Sequence, residues 1–354
     1  MTERVGVVVL GFGDEEYLEA CLAAAIAELG DDDDIVLVDN GITGAADRRP
    51  SWPERVRVLE PGENTGFAGG CNLAASHTDA DVLVFVNSDA LLRPGALAAL
   101  VAAGRDDTVA IVGGSLHLAD RPDLINSAGN PLHYTGITWA GGCGDPATAH
   151  DRPGPVAVAT GGLFAVRRTV WAELGGFDDR YLAYHEDTDL SIRAWLGGRR
   201  VVYVPEAVAD HHYEFGRSPA KMYLVERNRL MTILTDYPRP LLRAVLPAVV
   251  VTEPALLAQA VLQGWARQKV DGWRWLLAHR RELRARRADV QSRIPDPALG
   301  AAVLADLMVA RIEPPMVEHP PGMGVVNAAL AGYWRLVRPR LTRALARRPG
   351  HLAP

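Results

Sequence analysis

Short apolar runs rich in β-branched residues recur through the first quarter of the chain, and each stops abruptly at glycine, aspartate or asparagine. They cover residues 5–10, 35–38 and 81–86, and residues 15–29 repeat leucine and isoleucine at helical spacing. Strands that alternate with helices predict an α/β domain around a mostly parallel sheet. We therefore expect ligands to bind where the carboxyl ends of these strands meet.

Polar residues follow these predicted strands and form the first group of candidate binding residues. Asp39 follows the second strand, where its carboxylate could accept the N3 hydrogen of a uracil or thymine ring, or could stabilise a turn. Asp89 follows the strand at 81–86. An acid there is costly to hold unpaired, and a Mg²⁺ or Mn²⁺ ion that bridges it to a diphosphate would neutralise it.

The segment NTGFAGGCN, residues 64–72, is a glycine-rich turn expected in front of a helix at 73–76. Its backbone can approach a ligand closely and direct N–H groups at it. It matches neither the nucleoside-triphosphate P-loop nor the GxGxxG dinucleotide pattern. A second irregular, glycine-rich region is expected at 113–155, where a long loop would cover or shape a site.

A helix is predicted at 185–197, which places Glu186 and Asp187 in its first turn. Asp187 shares a face with Leu190 and Ala194, which we expect to point inward, and Asp189 should pair with Arg193 four residues later. The acids could serve only to complement the helix dipole. A catalytic carboxylate is the alternative interpretation.

The stretch GGFDDRYLAYHEDTDLSIRAW, residues 175–195, resembles the C-terminal catalytic signature of family 2 inverting glycosyltransferases. Further segments match that family in the same order over roughly residues 4–235, and bacterial rhamnosyltransferase-like enzymes of cell-envelope polysaccharide synthesis are similar. The resemblance implies a GT-A fold with Asp187 as general base, supported by Glu186. It also implies a divalent metal, Mg²⁺ or Mn²⁺, held by Asp89 and His211, with His212 as the alternative.

The same resemblance implies the residues that contact the two substrates. Asn87 stands where many family members have the first Asp of an Asp-x-Asp element, which leaves the strength of metal binding open. The nucleotide-sugar residues would be Leu10, Gly11, Phe12, Asp39, Asn40, Asn64, Gly66, Phe67, Asn72, Asn87, Ser88, Asp89, Gly161, Gly162 and Arg217. The acceptor residues would be Asp178, His185 and Trp139, for which turn capping and ordinary packing are the alternatives.

The last third of the chain differs in character, so we predict a catalytic domain at 1–237 and a helical region at 238–354. Residues 264–293 hold nine Lys or Arg against three acids, with Trp265, Trp273 and Trp275 among them. Prolines and charges interrupt the apolar stretch at 240–265, which argues against a membrane-spanning helix. Contact with an anionic membrane face, packing on the catalytic domain and homodimerisation are the alternatives.

Composition restricts the remaining choices. A chain of 354 residues with 48% hydrophobic content can bury a large core, and a net charge of −6 does not suggest nucleic-acid binding. Three cysteines without metal-ligand spacing and the absence of a signal-peptide pattern indicate a cytoplasmic protein. The expected activity is inverting transfer from a UDP- or dTDP-sugar, rhamnosyl transfer being favoured, to a hydroxyl acceptor that could be lipid-linked. A non-catalytic scaffold and a sugar-nucleotide pyrophosphorylase are the alternatives.

Overall fold

The computed structural model describes residues 3–213, 216, 218–315 and 322–345. The first part of the chain alternates strands with helices, as predicted. Its elements are β1 (Val5–Gly13), α1 (Leu18–Glu28), β2 (Asp34–Ile42), α2 (Ala45–Arg48), β3 (Val56–Leu59), α3 (Gly66–Ser76), β4 (Val82–Asn87), β5 (Ala90–Leu92), α4 (Ala96–Gly104), β6 (Val109–Leu118), β7 (Arg121–Ser127), β8 (Gly154–Pro155) and β9 (Leu163–Arg167).

The second part is mostly helical. Its elements are α5 (Arg168–Leu174), α6 (Glu186–Leu196), β10 (Arg200–His211), α7 (Pro219–Asp236), α8 (Arg239–Leu262), α9 (Ala266–Ala278), α10 (Arg280–Ser292), α11 (Pro297–Leu307) and α12 (Met323–Thr342). Short 3-10 turns lie at Arg49–Ser51, Ala147–His150 and Asp179–Tyr181.

The strands form one mixed sheet in the order β3-β2-β1-β4-β9-β6-β10-β5, with β7 paired to β6 and β8 to β10. β1 runs parallel to β2 and to β4, and β10 runs parallel to β6, while β9 is antiparallel to both of its neighbours. The prediction of a mostly parallel α/β sheet is confirmed. Because β1, β2 and β4 are parallel, their polar carboxyl ends lie along the same edge.

Alternate residues of the central strands build a core on each side of the sheet. Leu83 and Phe85 of β4 pack on the side of α3 and α6, and Phe85 stacks on Phe164 with ring centroids 4.5 Å apart. Val84 and Val86 pack on the side of α1 and α4. Successive side chains of a strand point to opposite faces, so one apolar run supplies both layers.

Helix α3 begins at Gly66 rather than near residue 73, so the predicted glycine-rich turn is wrong for most of its length. Small residues let this helix lie close to β1, because a Cβ on Gly70 would come within 2.1 Å of the Leu10 side chain. Glycine lowers intrinsic helix propensity by about 1 kcal/mol relative to alanine, but close packing outweighs that cost here. Local composition therefore gave the wrong boundary.

The predicted irregular region at 113–155 is partly regular. β6 continues through Leu118 and the chain returns along β7, so this region extends the sheet. β10 is also longer than predicted and ends at His211, because a register shift between Tyr203 and Val208 lets the strand continue past Pro205. The three cysteines are buried, as expected for small apolar side chains.

Helix α6 spans Glu186–Leu196, close to the prediction, and the Asp189–Arg193 pair forms with 2.6 Å between Oδ2 and Nη2. The predicted division into inner and outer faces is wrong. Nearly the whole helix is buried, and Glu186 is more deeply buried than Asp187. Helices α7 and α11 pack against α6, which removes the exposed side that an amphipathic surface helix would have.

The C-terminal segment is helical, as predicted, and α7 packs against α9 and α10, on both sides of the predicted boundary at residue 237. Helix α8 runs unbroken for 24 residues through Pro247 and Pro254. It is the candidate span within the described residues by length and apolar composition, and 22% of its most apolar window is buried. The prolines and charges that argue against a membrane-spanning helix therefore do not break α8.

Candidate active site

The carboxyl ends of β1, β2 and β4 lie side by side. Leu10 pairs with Asn87 on one side, and Gly11 pairs with Asp39 on the other. The main-chain N–H of Asn87 donates to the carbonyl of Gly162 at 3.0 Å, which joins the 160–162 loop to this edge. Residues predicted from three separate strands are thus adjacent in space.

Gly161 connects this edge to the acid pair of α6. Its N–H donates to Oδ2 of Asp187 at 3.1 Å, and Oδ1 of Asp187 accepts the N–H of Thr188 at 2.6 Å. Asp187 is half-buried and Glu186 is buried. Two fixed N–H donors therefore orient the Asp187 carboxylate beside the loop that also holds Asn87.

Both carboxyl groups lie in surroundings that favour their protonated form over the carboxylate. Burial raises the pKa of Glu186 well above its usual range, and the neighbouring charge of Asp187 raises it further. Burial also raises the pKa of Asp187, while the N–H groups of Thr188 and Gly161 act in the opposite direction. Oε2 of Glu186 is buried and has no hydrogen-bond partner in the described part of the chain. A carboxylate with a raised pKa is a stronger base, as proton removal from a hydroxyl requires.

The backbone before α6 is held in an unusual conformation. Leu182, Tyr184 and His185 have φ values of 63°, 67° and 71°, in the left-handed region that disfavours side chains of this size. Asn228 of α7 stabilises this segment, because its Nδ2 lies 2.9 Å from the carbonyls of Tyr181 and Ala183 and 2.6 Å from that of Tyr184. This buried amide thereby determines where the acid pair begins its helix.

A buried ion cluster anchors the opposite side of α6. Arg286 of α10 contacts the carboxylates of Asp178, Asp189 and Asp236, and it is itself buried. Burial opposes the ionisation of Asp189, but Arg193 and Arg286 together lower its pKa to about 2. The C-terminal helices are thus linked electrostatically to the helix that carries the acid pair.

Asp89 and His211 meet at the other side of the β4 end. His211 Nε2 lies 3.0 Å from Asp89 Oδ1, and its Nδ1 lies 2.8 Å from Oδ1 of Asn126 on β7. Asn126 Nδ2 is buried without a partner among the described residues. A carboxylate and an imidazole oriented by a second side chain suit a divalent metal. The described residues contain no group of three or more His, Cys, Asp or Glu side chains that could hold a metal ion without further ligands.

The amide of Asn40 organises the loop that leads into α3. Its Oδ1 accepts the N–H of Thr65 at 2.9 Å, and its Nδ2 donates to Oδ1 of Asn64 at 2.9 Å. Asn64 in turn accepts the N–H of Gly66 at 2.8 Å. Asn40 is buried, whereas Asn64 is exposed. Asn40 therefore shapes the loop, and Asn64 lies at its surface.

A family model described as glycosyltransferase-like family 2 matches residues 3–232. The chain belongs to this glycosyltransferase family. It is 30% identical over 268 residues, 67% of this chain and 85% of the relative, to the N-acetylglucosaminyl-diphospho-decaprenol L-rhamnosyltransferase of Mycobacterium tuberculosis. It is also 25% identical over 197 residues, 52% of this chain and 33% of the relative, to polypeptide N-acetylgalactosaminyltransferase 8 of Drosophila melanogaster.

Solved structures show that this glycosyltransferase has the GT-A fold. GalNAc-T7 with UDP, GalNAc and Mn²⁺ aligns over 83% of this chain and 58% of its own, with a TM-score of 0.58 and 16% identity. The mannosyltransferase PcManGT of Pyrobaculum calidifontis, with GDP-Man and Mn²⁺, aligns over 83% of this chain and 86% of its own, with a TM-score of 0.51 and 20% identity. The predicted fold and family are confirmed.

Several predicted binding residues of this glycosyltransferase are held by other parts of the protein. Oδ1 of Asp39 accepts the N–H of Ile42 at 2.8 Å, which agrees with the turn-stabilising alternative. Asn72 lies inside α3 rather than at its start, and its Nδ2 donates to the carbonyl of Phe177 at 2.9 Å. Both oxygens of Asp178 are paired, with Arg180 and Arg286, in agreement with the turn-capping alternative.

The other predicted residues differ in accessibility. Phe12 is exposed at the end of β1, Phe67, Gly161 and Trp139 are half-buried, and Ser88 and Gly162 are buried. His185 is buried, and this burial, with Arg229 nearby, lowers its pKa to about 4. Arg217 lies outside the described residues.

Besides Asn126 and Arg286, two residues near the site were not identified from the sequence. Glu15 accepts the N–H of Phe12 at 2.7 Å, and burial raises its pKa. Asn228 is the other, and its spacing gives a signal: it lies on the same helical face as Leu224 and Met231, both buried. A polar side chain on an apolar face must find a buried partner, which here is the main chain before α6.

Proposed function

We propose that the protein transfers a sugar from a UDP- or dTDP-sugar to a hydroxyl acceptor with inversion, rhamnosyl transfer being favoured. The observation that carries this proposal is the hydrogen bond from Gly161 to Asp187, beside the contact of Gly162 with Asn87. It brings one oriented carboxylate to the strand ends where a nucleotide sugar would bind. Inverting transfer is a single displacement and needs one base near the attacking hydroxyl.

In this mechanism Asp187 accepts the proton of the acceptor hydroxyl as the oxygen attacks the anomeric carbon. The bond from that carbon to the diphosphate breaks on the opposite face. Glu186 supports the base, since its buried carboxyl has one oxygen without a partner within the described residues and can remain neutral. The Gly161 and Thr188 N–H groups keep the Asp187 carboxylate in one orientation throughout.

Asp89 and His211 would hold a divalent metal. When bound, the metal would stabilise negative charge on the departing diphosphate. Asn126 would fix the His211 ring so that Nε2 faces Asp89. Two proteins of the same fold were solved with Mn²⁺, which supports a divalent metal but not the choice of residues. Asn87 would contact the sugar or ribose instead of the metal.

The acceptor is proposed to be lipid-linked, because the mycobacterial relative is named for a diphospho-decaprenol substrate. The enzyme would then work in the cytoplasm against the inner face of the cell membrane. Asp39 would still be able to reach the nucleobase, since its hydrogen bonds with the described part of the chain are accepted by Oδ1 and leave Oδ2 for the base. A pyrimidine base offers the N3 hydrogen that such a carboxylate accepts.

The test is donor binding and transfer across UDP-, dTDP- and GDP-sugars with Mn²⁺ or Mg²⁺, for wild type, Asp187→Asn and Asp89→Ala. We expect one pyrimidine donor to bind, Asp187→Asn to bind it without turnover, and Asp89→Ala to lose metal-dependent binding. Asp79→Asn is the matched control, because its side chain is 95% exposed and it precedes the amino end of β4, whereas the site lies at the carboxyl end. A folded protein that binds none of these donors would refute the proposal.

A further inference from the structure

One face of α8 presents a continuous apolar strip to the surroundings. At helical spacing from residue 246 to residue 262, every exposed position is leucine, valine, proline or alanine. Val251 is 75% exposed and Leu262 is 87% exposed. The strip consists of Leu246, Pro247, Val250, Val251, Pro254, Ala255, Ala258, Val261 and Leu262. Scattered exposed apolar residues are ordinary, but a run of this length on one helix marks an interaction surface.

The acid of α8 is turned away from this strip. Glu253 points inward, where it contacts Arg229, accepts a hydrogen bond from Trp273 Nε1 at 2.9 Å and forms an ion pair with Lys269 Nζ at 3.1 Å. Arg229 and Lys269 are themselves buried and also bind Glu226. Buried cations thus neutralise Glu253, so the exposed face of the helix carries no negative charge.

Positive charge continues the strip at both ends. Arg239 and Arg243 are exposed and precede Leu246 and Pro247 by one or two turns on the same side of α8. After the helix ends, the Arg267 side chain is 88% exposed and Arg274 is 74% exposed, and because the two pair with a single acid, Asp271, their net charge is positive. An apolar strip with flanking arginines complements a bilayer whose headgroups are anionic, because the strip enters the acyl boundary while the arginines meet phosphate.

The inner side of α8 is fixed to the protein, which decides how the helix can meet a bilayer. Leu241 and Val245 are buried, and the Tyr333 hydroxyl donates to the carbonyl of Ala244 at 2.6 Å. A spanning orientation would expose Glu253 and its partners to lipid, which is costly for charged groups. We infer that α8 lies flat on an anionic lipid surface and docks the enzyme there. Only the link to a lipid-linked acceptor rests on the proposed function.

The experiment is flotation of the full chain with phosphatidylcholine vesicles and with vesicles that also contain phosphatidylglycerol. We expect wild type to float with the anionic vesicles. Val250→Glu/Val251→Glu should weaken binding about tenfold or more, and Arg239→Ser/Arg243→Ser should weaken it only for anionic vesicles. The matched control is Ala23→Glu/Ala27→Glu, which adds the same charge at two exposed positions of α1 and should bind as wild type does.

Circular dichroism and thermal melting would establish that each variant is folded. Failure of wild type to float, or equal binding by the Val250→Glu/Val251→Glu variant, would overturn the inference. Light scattering tests the alternative that a second copy of the chain covers the strip. A wild-type dimer that these substitutions dissociate, without a change in flotation, would support that alternative and contradict docking on lipid.

Transfer to a water-soluble acceptor should be unchanged in the α8 variants, and transfer to a vesicle-embedded acceptor should fall. If wild type floats as expected but transfers sugar to neither acceptor, the proposed function fails while the docking surface stands.

Discussion

Asn228 of α7 donates a hydrogen bond of 2.6 Å to the main-chain carbonyl of Tyr184, two residues before Glu186. Its amide nitrogen also lies 2.9 Å from the carbonyls of Tyr181 and Ala183. The segment it contacts contains three side-chain-bearing residues with positive φ. Such backbone persists only where surrounding contacts over-determine it, so a residue outside the strand ends controls the geometry of the acid pair.

We predict that Asn228→Asp, which keeps the shape but removes the donor, lowers kcat more than it changes donor KM. Loss of the donor leaves buried carbonyls without a partner, at a cost of about 1–3 kcal/mol in the free energy of unfolding. Steady-state kinetics and denaturant unfolding measure the two effects. Asn327→Asp is a control, since this buried asparagine holds Ile312 far from the acid pair in sequence. An unchanged kcat would contradict the positioning role.

The pH dependence of turnover should report the base. Asp187 must be ionised to accept a proton, and burial raises its pKa, so kcat should fall as pH drops through that raised value. Asp187→Asn should lower kcat by about 10²–10⁴-fold at every pH and abolish this acidic limb. A pH–rate profile of both proteins is the measurement. An acidic limb that persists in the variant would assign the titration to another group.

Glu186→Gln is predicted to raise stability at neutral pH while it lowers activity. The pKa of Glu186 is raised in the folded state, so the native protein binds more protons than the unfolded chain between the unfolded value near 4.5 and the folded pKa. Stability therefore falls as pH rises through this window, and the neutral amide removes that loss. Thermal melting of both proteins across the window tests the sign. A variant that melts lower at neutral pH would contradict the prediction.

Arg286→Ala should destabilise the protein by about 3–5 kcal/mol, because it leaves the buried Asp189 and Asp236 without their shared cation. Arg284→Ala, an exposed arginine on the same helix, is the matched control and should change stability little. Denaturant unfolding compares the two variants. Equal losses in the free energy of unfolding for the two variants would show that the ion cluster does not hold α10 against α6.

Asn126→Ala is predicted to weaken Mn²⁺ binding about tenfold, as expected when a residue that orients a metal ligand is removed. The measurement is calorimetric titration of Mn²⁺ in the presence of UDP or dTDP, which needs no turnover. His211→Ala should have a larger effect, since it removes the imidazole beside Asp89. His150→Ala, a histidine that pairs with Asp145, is the control. Binding unchanged in Asn126→Ala would remove it from the metal site.

Features that depend on residues close together in the chain could be predicted from the sequence. The apolar run that ends at Asn87 and the acids in the first turn of α6 can be recognised from residue spacing, because strand and helix periods depend only on neighbouring residues. The resemblance to the glycosyltransferase family, together with the shared edge of parallel strands, predicted that these two segments belong to one site. The limits of α3 were missed because its glycines serve a contact with Leu10 that composition does not show.

Long-range contacts decided the rest. Asn228, Arg286 and Asn126 act through residues 44 to 108 positions away, and their residue types alone are compatible with an exposed surface. Glu253 shows the same limit, since in the sequence it interrupts an apolar stretch, whereas in the fold Lys269 and Arg229 neutralise it. The alternation of strands and helices, the family and the acid pair follow from residues close together in the chain. Which charges are buried and paired, and which face of α8 remains apolar, could not be predicted in this way, because burial and pairing depend on packing between distant segments.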